Sequence, residues 1–284
     1  MKIAISSGKG GTGKTTVSVN LAAYIAETEQ VVLTDLDVEE PNSGLFLNAK
    51  QVSEEIKYTA IPVHIKHKCD ENGNCSKVCA YGAIIRIGPE LMIIDDLCHS
   101  CYACAELCPN GALTMTDRRI GKLICSEAGN LSFIESRLDV GIELPVPLIS
   151  QTLKYVDEHI QDDILKLYDT PPGTSCPAIE SVKPADLVLL VTEPTPFGLN
   201  DLKLSVKAMR RLEKKIAVII NRFGVGNDET EKYCAEENIE IIARIPDSRE
   251  IAEIYSRGSL IYDKVPEFKE QLEKIRTYMT RARK

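Results

Sequence analysis

Residues 7–16 read Ser7-Gly8-Lys9-Gly10-Gly11-Thr12-Gly13-Lys14-Thr15-Thr16. A short apolar run, Ile3-Ala4-Ile5, precedes them, and an amphipathic stretch, Val17 to Ala26, follows. Strand, glycine loop, helix is the setting that a phosphate-binding loop requires. Gly8, Gly10, Gly11 and Gly13 let the backbone turn tightly and aim its N–H groups at phosphate oxygens. A helix starting near Lys14 adds the positive end of its dipole to the same anion site. From Gly8 to Thr15 the spacing is a complete G-x-x-x-x-G-K-[ST]. That motif sends Lys14 to the terminal phosphates of a nucleotide and the Thr15 hydroxyl to Mg²⁺. Gly8 through Thr16 are the expected nucleotide contacts.

Outward from the loop, apolar runs alternate with helical patterns. Val31-Val32-Leu33-Thr34, Ile164 to Tyr168, Leu187 to Thr192 and Ile216 to Ile220 are β-branched and leucine-rich, as parallel strands buried on both faces are. Helical stretches are expected over Pro147 to His159 and Asn200 to Leu212. Strands alternating with helices imply an α/β fold with a doubly wound, mostly parallel sheet. Ile120 to Glu143 reads as an antiparallel hairpin or an extended edge. Two strands end in carboxylates: Asp35-Leu36-Asp37 after the second and Asp169-Thr170-Pro171-Pro172-Gly173 after the third. The carboxyl ends of strands are where open α/β sheets bind ligands. Val265, Phe268, Leu272, Ile275 and Met279 recur at helical spacing before a basic end, Arg281 to Lys284. A helix docked on the domain is favoured over one lying on a membrane.

The chain has 284 residues, 44% of them apolar, enough for one large or two modest domains with a real core. Its net charge of −8 argues against a nucleic-acid partner. No run of 18 apolar residues exists and the first strand starts at once. A cytoplasmic location without a membrane partner is therefore expected. Of ten cysteines, seven fall between Cys69 and Cys108. In a nucleotide-binding chain of this kind, that crowding reads as metal or cluster ligation rather than disulfides.

Those cysteines sit in an internal repeat with an offset of 29 residues: Cys69 to Ile84 aligns with Cys98 to Leu113. The second copy, Cys98-x₂-Cys101-x₂-Cys104-x₃-Cys108-Pro109, is the bacterial ferredoxin run. Residues 60–116 thus resemble an inserted two-cluster ferredoxin-like α+β domain, leaving 1–59 and 117–284 to the nucleotide-binding domain. A pair of structural zinc sites is the competing reading. In ferredoxins of this kind the fourth cysteine of each run ligates the other cluster. The resemblance therefore implies one 4Fe–4S cluster on Cys79, Cys98, Cys101 and Cys104. It assigns Cys69, Cys75 and Cys108 to a second site, where Asn72 stands in place of a cysteine. An amide is a poor iron ligand. The second site would hold a 3Fe–4S cluster, hold a labile 4Fe–4S cluster capped by Asp70, Glu71, water or a partner, or stay empty.

The second lysine of the loop, Lys9, makes the motif resemble the deviant Walker A of the MinD superfamily. That group includes MinD, ParA, Mrp and the nitrogenase iron protein. Nearly the whole chain is similar to its members that carry an inserted ferredoxin domain. The resemblance implies an ATPase that binds ATP and Mg²⁺ and works as a homodimer or a paralogue heterodimer. It implies that Lys9 reaches the partner's nucleotide and that Asp37 orients the attacking water. Asp35 would hold the Mg²⁺ shell or the loop, Asp169 would bind Mg²⁺ through water, and Gly173 would turn its N–H toward the γ-phosphate. Asn221, with Arg222 beside it, and Pro246-Asp247 would recognise adenine. Cys176, seven residues past Asp169, matches a cluster cysteine of the nitrogenase iron protein. It is also readable as a packed or redox-reactive thiol. The implied function is ATP-driven dimer closure coupled to electron transfer to an unidentified redox partner. The alternative is an Mrp-like carrier or scaffold serving cofactor assembly. A positioning ATPase that cycles on a surface is the third reading.

Overall fold

The computed structural model describes residues 1–283, so Lys284 of the basic end lies outside the described residues. β1 (Lys2–Ser6) leads through the glycine loop into α1 (Lys14–Ala26), then β2 (Val31–Asp35). A 3₁₀ turn, Ser43–Phe46, precedes the long β3 (Lys50–His64). Next come α2 (Asn74–Val78), β4 (Ile84–Ile87), β5 (Glu90–Ile93), α3 (Ala103–Glu106), β6 (Leu113–Ala128) and β7 (Leu131–Leu138). They are followed by α4 (Pro145–His159), β8 (Leu165–Asp169), α5 (Cys176–Val182), β9 (Leu187–Thr192) and α6 (Pro196–Arg211). The last elements are β10 (Lys215–Phe223), α7 (Glu229–Glu236), β11 (Ile241–Pro246), α8 (Arg249–Ser256) and α9 (Pro266–Ala282). Among the described residues, no helix is long and apolar enough to cross a membrane.

Two compact units divide the chain. The first comprises 1–54, 123–137 and 149–284, and the second 55–122 and 138–148. In the first, strands run in the order β11-β10-β9-β1-β8-β2-β7, and every pairing among them is parallel. β6 and β3 continue that order. β1, β2, β8 and β9 are buried almost end to end, which is why they read as largely apolar runs, with Lys166 the buried exception within β8. Ile3, Ile5, Leu33, Leu167, Leu189 and Ile219 form the sheet side of the core, and Val17, Leu21 and Ile25 face them from α1. The C-terminal helix α9 docks: Phe268, Leu272 and Ile275 are fully buried, against α1 and β11. Its apolar face is thereby used within the fold.

In the second unit β4 and β5 form an antiparallel hairpin, with Ile84 opposite Ile93 and Gly88 at φ +60° in the turn. The 29-residue repeat is visible in the backbone. Ile65 N–H donates to the Ala112 carbonyl, and Ile94 N–H to that of Ala83, both at 2.8 Å. Each copy thus bonds to the other through equivalent atoms. The 3₁₀ turns Lys66–Lys68 and Asp95–Leu97 precede Cys69 and Cys98 in the same way. The N–H groups of Ala83 and Ala112 donate to the Sγ atoms of Cys79 and Cys108, at 3.3 and 3.2 Å.

Candidate functional site

β1 delivers the glycine loop to the carboxyl end of the sheet, and α1 begins immediately after Gly13. At φ +90° and ψ +19°, Gly13 is left-handed. Any side chain there would also run into the Asn221 amide nitrogen. Only glycine meets both conditions. The Asn221 amide donates to the Thr12 carbonyl at 2.8 Å, tying β10 to the loop. The loop lines a cavity of about 190 Å³ from Lys9 through Thr16, with Asp37 on its far side. The Thr12 hydroxyl is buried there without a hydrogen-bond partner among the described residues.

Beneath the loop lies a buried charge cluster. Lys14 Nζ donates to Asp169 Oδ1 at 2.9 Å. Burial alone would lower the Lys14 ammonium, but the charge and hydrogen bond of Asp169, backed by Asp35 and Asp37, hold it above its usual value. Asp35 is fully buried and accepts from the backbone N–H groups of Asp37, Asn42 and Ser43. Burial and the neighbouring Asp169 still push its carboxyl well above the carboxylate range. Burial likewise pushes Asp37 up to about 6, with Lys14 opposing and Asp169 adding to the rise. Three carboxyl groups thus gather around one lysine, and their ionised forms are disfavoured by burial and by one another. Ser43, whose place nothing in the spacing marks, donates its hydroxyl to Asp169 Oδ2 at 2.9 Å. Gly173, at φ +87°, donates its N–H to the Ser7 carbonyl at 2.8 Å. The loop after β8 is thus latched to the start of the phosphate loop.

At the cavity rim Lys9 is paired with Glu193 of its own chain. Arg222 reaches the same carboxylate at 3.4 Å, and the Thr195 hydroxyl donates to it at 3.2 Å. Burial would raise Glu193, but Lys9, with Thr195 and Arg222, holds it below its usual value. A second cavity, about 320 Å³, brings Asn221, Arg222, Pro246 and Asp247 together. Gly11, Gly13, Thr16 and Tyr255 line both cavities. Tyr255 sits on α8, at helical spacing from Ile251, and only that spacing in the sequence hints at an inward position. Asp35, Asp169, Gly8 and Gly173 stand behind the cavity walls rather than on them.

In the second unit Cys79, Cys98, Cys101 and Cys104 line one cavity, together with Tyr81 and His99. The two rings stack 3.6 Å apart at 8°. Burial raises the Cys98 and Cys104 thiols, and so do thiol neighbours: Cys101 and Cys79 act on Cys98, and Cys98 and Cys101 on Cys104. Burial raises Cys75 too, and its thiol neighbours are Cys69 and Cys108. Asn72 is engaged locally. Its amide donates to Asp70 at 3.1 Å, and its carbonyl accepts from Asn74 N–H at 2.9 Å. Arg86 pairs with Glu71 at 2.8 Å. Among the described residues, no group of His, Cys, Asp and Glu is drawn closely enough together to hold a single metal ion. All ten cysteines are free thiols. Cys176 is exposed, Cys234 is buried, and Cys125 is half-buried with its Sγ 3.4 Å from the Tyr155 hydroxyl.

The family described as the CobQ/CobB/MinD/ParA nucleotide binding domain matches residues 3–261. A Methanocaldococcus jannaschii protein, MJ0579, is 32% identical over 262 residues, covering 91% of this chain and 90% of its own. An iron–sulfur cluster carrier protein of Methanococcus maripaludis is 26% identical over 262 residues, 86% of this chain and 72% of its own. Among solved structures, the cell division ATPase MinD of Pyrococcus furiosus aligns over 98% of both chains at 20% identity, with a TM-score of 0.59. That likeness is one of fold.

Proposed function

This chain belongs to the CobQ/CobB/MinD/ParA nucleotide-binding family, and on that premise we propose an ATP-hydrolysing iron–sulfur protein in which nucleotide-driven dimer closure is coupled to electron transfer to a partner protein. The observation that carries the reading is the cavity walled by four thiols, in a chain whose other unit presents a phosphate loop to a cavity of its own. Gly8 to Thr16 receive the triphosphate, with Lys14 turning from Asp169 toward it. Asn221, Arg222, Pro246 and Asp247 receive the base. Thr15, Asp35 and Asp169 hold Mg²⁺, a reading supported by the gathering of Asp35, Asp37 and Asp169 about a single lysine. Asp37, on the cavity wall, orients the attacking water. Lys9 leaves Glu193 and reaches the nucleotide of the second subunit, a homologous or identical chain.

The ferredoxin-like reading of the second unit is supported by the exchange of backbone bonds between the repeat copies. Cys79, Cys98, Cys101 and Cys104 fit a 4Fe–4S cluster: four soft donors around one cavity, with an N–H bonded to the sulfur of Cys79. Such a group supplies one-electron transfer. The chain's contribution is to seat it, set its surroundings and move the nucleotide loops. Gly173 must release the Ser7 carbonyl before its N–H can face a γ-phosphate, so the loop has two alternative bonds. ATP favours the closed dimer only by as much as it binds that state better.

A second reading, cluster carriage to an apoprotein, is favoured by the other site. Cys69, Cys75 and Cys108 have no fourth thiol, and Asn72 spends its amide on Asp70 and Asn74. Three-thiolate sites release their cargo more readily, and the Methanococcus relative is named a carrier. Anaerobic redox titration with EPR, with and without Mg-ATP, separates the two. A potential that moves with ATP supports electron transfer; about 30 mV is ~0.7 kcal/mol for one electron. Fixed potentials with iron lost stoichiometrically to an apo-acceptor favour carriage. A chain that retains neither iron nor sulfide after anaerobic reconstitution rejects both.

A further inference from the structure

α8 lies between the base-side cavity and the loop that follows β2. Tyr255 lines both nucleotide cavities, as do Gly11, Gly13 and Thr16, and is 37% exposed. A nucleotide extending from Lys14 to Asn221 has to pass between α1 and this ring. The other side of the ring is not free. It stacks on Phe46 with centroids 4.8 Å apart at 30°. Phe46 closes the 3₁₀ turn that Ser43 opens. Ser43 holds Asp35 through its N–H at 3.0 Å and Asp169 through its hydroxyl at 2.9 Å. A second contact supports the first, since a side chain at Gly258, just past α8, would press on the Leu45 carbonyl of the same turn at 3.3 Å.

We propose that Tyr255 is a positioning residue. One face of its ring is the wall on which the sugar–base part of the nucleotide rests; the other, through Phe46, braces the turn whose Ser43 orients Asp35 and Asp169. The inference rests on the nucleotide-hydrolysis reading above. Occupying the base side then steadies the carboxylates on the phosphate side, and the two halves of the site tighten together. An aromatic ring suits both tasks because it offers two flat faces and few rotamers to freeze.

The test compares Tyr255→Ala, Tyr255→Leu, Tyr255→Phe, Phe46→Ala and the double Tyr255→Ala/Phe46→Ala change. ADP affinity is read by displacement of a fluorescent nucleotide, and kcat and KM for ATP are measured alongside. Tyr255→Ala is expected to weaken ADP about ten-fold and also to lower kcat, because Phe46 loses its support, with Tyr255→Leu equivalent because it keeps bulk but no ring face. Tyr255→Phe should restore most of that loss. Phe46→Ala should weaken ADP much less than Tyr255→Ala does yet lower kcat about ten-fold, a KM-against-kcat split that general loosening of the fold would not produce. The double variant should lose less in kcat than the product of the single losses. Wild-type ADP affinity in both Tyr255→Ala and Tyr255→Leu, or strictly additive effects on kcat, overturns the inference alone. A wild-type chain that binds neither ADP nor ATP overturns the nucleotide reading and this inference with it.

Discussion

Lys9 carries its charge at the rim of the phosphate cavity and spends it on Glu193, which Thr195 and Arg222 also reach. A lysine so placed is held within its own subunit until something competes for it. If it acts across a dimer, Lys9→Ala should cut ATP hydrolysis on the order of 10³-fold, as removal of an arginine finger does, while ADP still binds. Unchanged turnover would remove Lys9 from the mechanism. Glu193 has a consequence of its own. Its carboxyl is held below the usual value, so its stabilising contribution is complete above the unfolded-state value and lost as pH falls through the depressed folded one. Between about pH 5 and about pH 3 the melting temperature of the native chain should fall more steeply than that of Glu193→Gln. Parallel curves would mean that the ion pair contributes nothing net.

Elements differed in how plainly the sequence announced them. β1, β2 and β9, and the centre of β10 (217–220), are buried on both faces, so their residues are mostly apolar and their pattern is plain. β3 is legible only from the fold. Its first residues, Lys50 to Glu55, are exposed, so burial imposes no alternation on them. α8 is short and amphipathic, and Tyr255 looks like any half-exposed tyrosine until it is seen to share its cavities with the glycine loop. Ser43 shows the same limit for a site residue. The Lys14–Asp169 pair joins a motif lysine to a strand-end carboxylate 155 residues away, and both carry local signals. A serine in a polar loop carries none. α9 is legible in its 3–4 spacing, and the fold shows what the spacing serves. Phe268→Ala should cost ~3–5 kcal/mol in urea-induced unfolding, because the ring is fully buried and a cavity replaces it. A loss below about 1 kcal/mol would show that the helix is only loosely seated.

For the molecule as a whole, the two units are stabilised unequally. The first has a continuous core from β1 to α9. Buried side chains in the second form small groups, such as Ile61 with Ala83 and Cys98, and Ile84 with Cys104 and Leu113. Thiols are thus part of that core, and a core this small needs a further staple. If the proposed cluster is that staple, removing iron and sulfide should make 55–122 sensitive to limited proteolysis while ADP affinity survives. Equal protease resistance with and without iron would show that this unit holds its structure without metal. One feature of the sheet also bears on how the protein is made. β1 lies between β9 and β8, so the first strand to leave a ribosome gains its second neighbour only once Thr192 has been added. At 5–20 residues per second that is a wait of roughly 10–40 s. During it the cysteine repeat is already synthesised. Until it ends, the phosphate loop is held from the β8 side of the sheet alone.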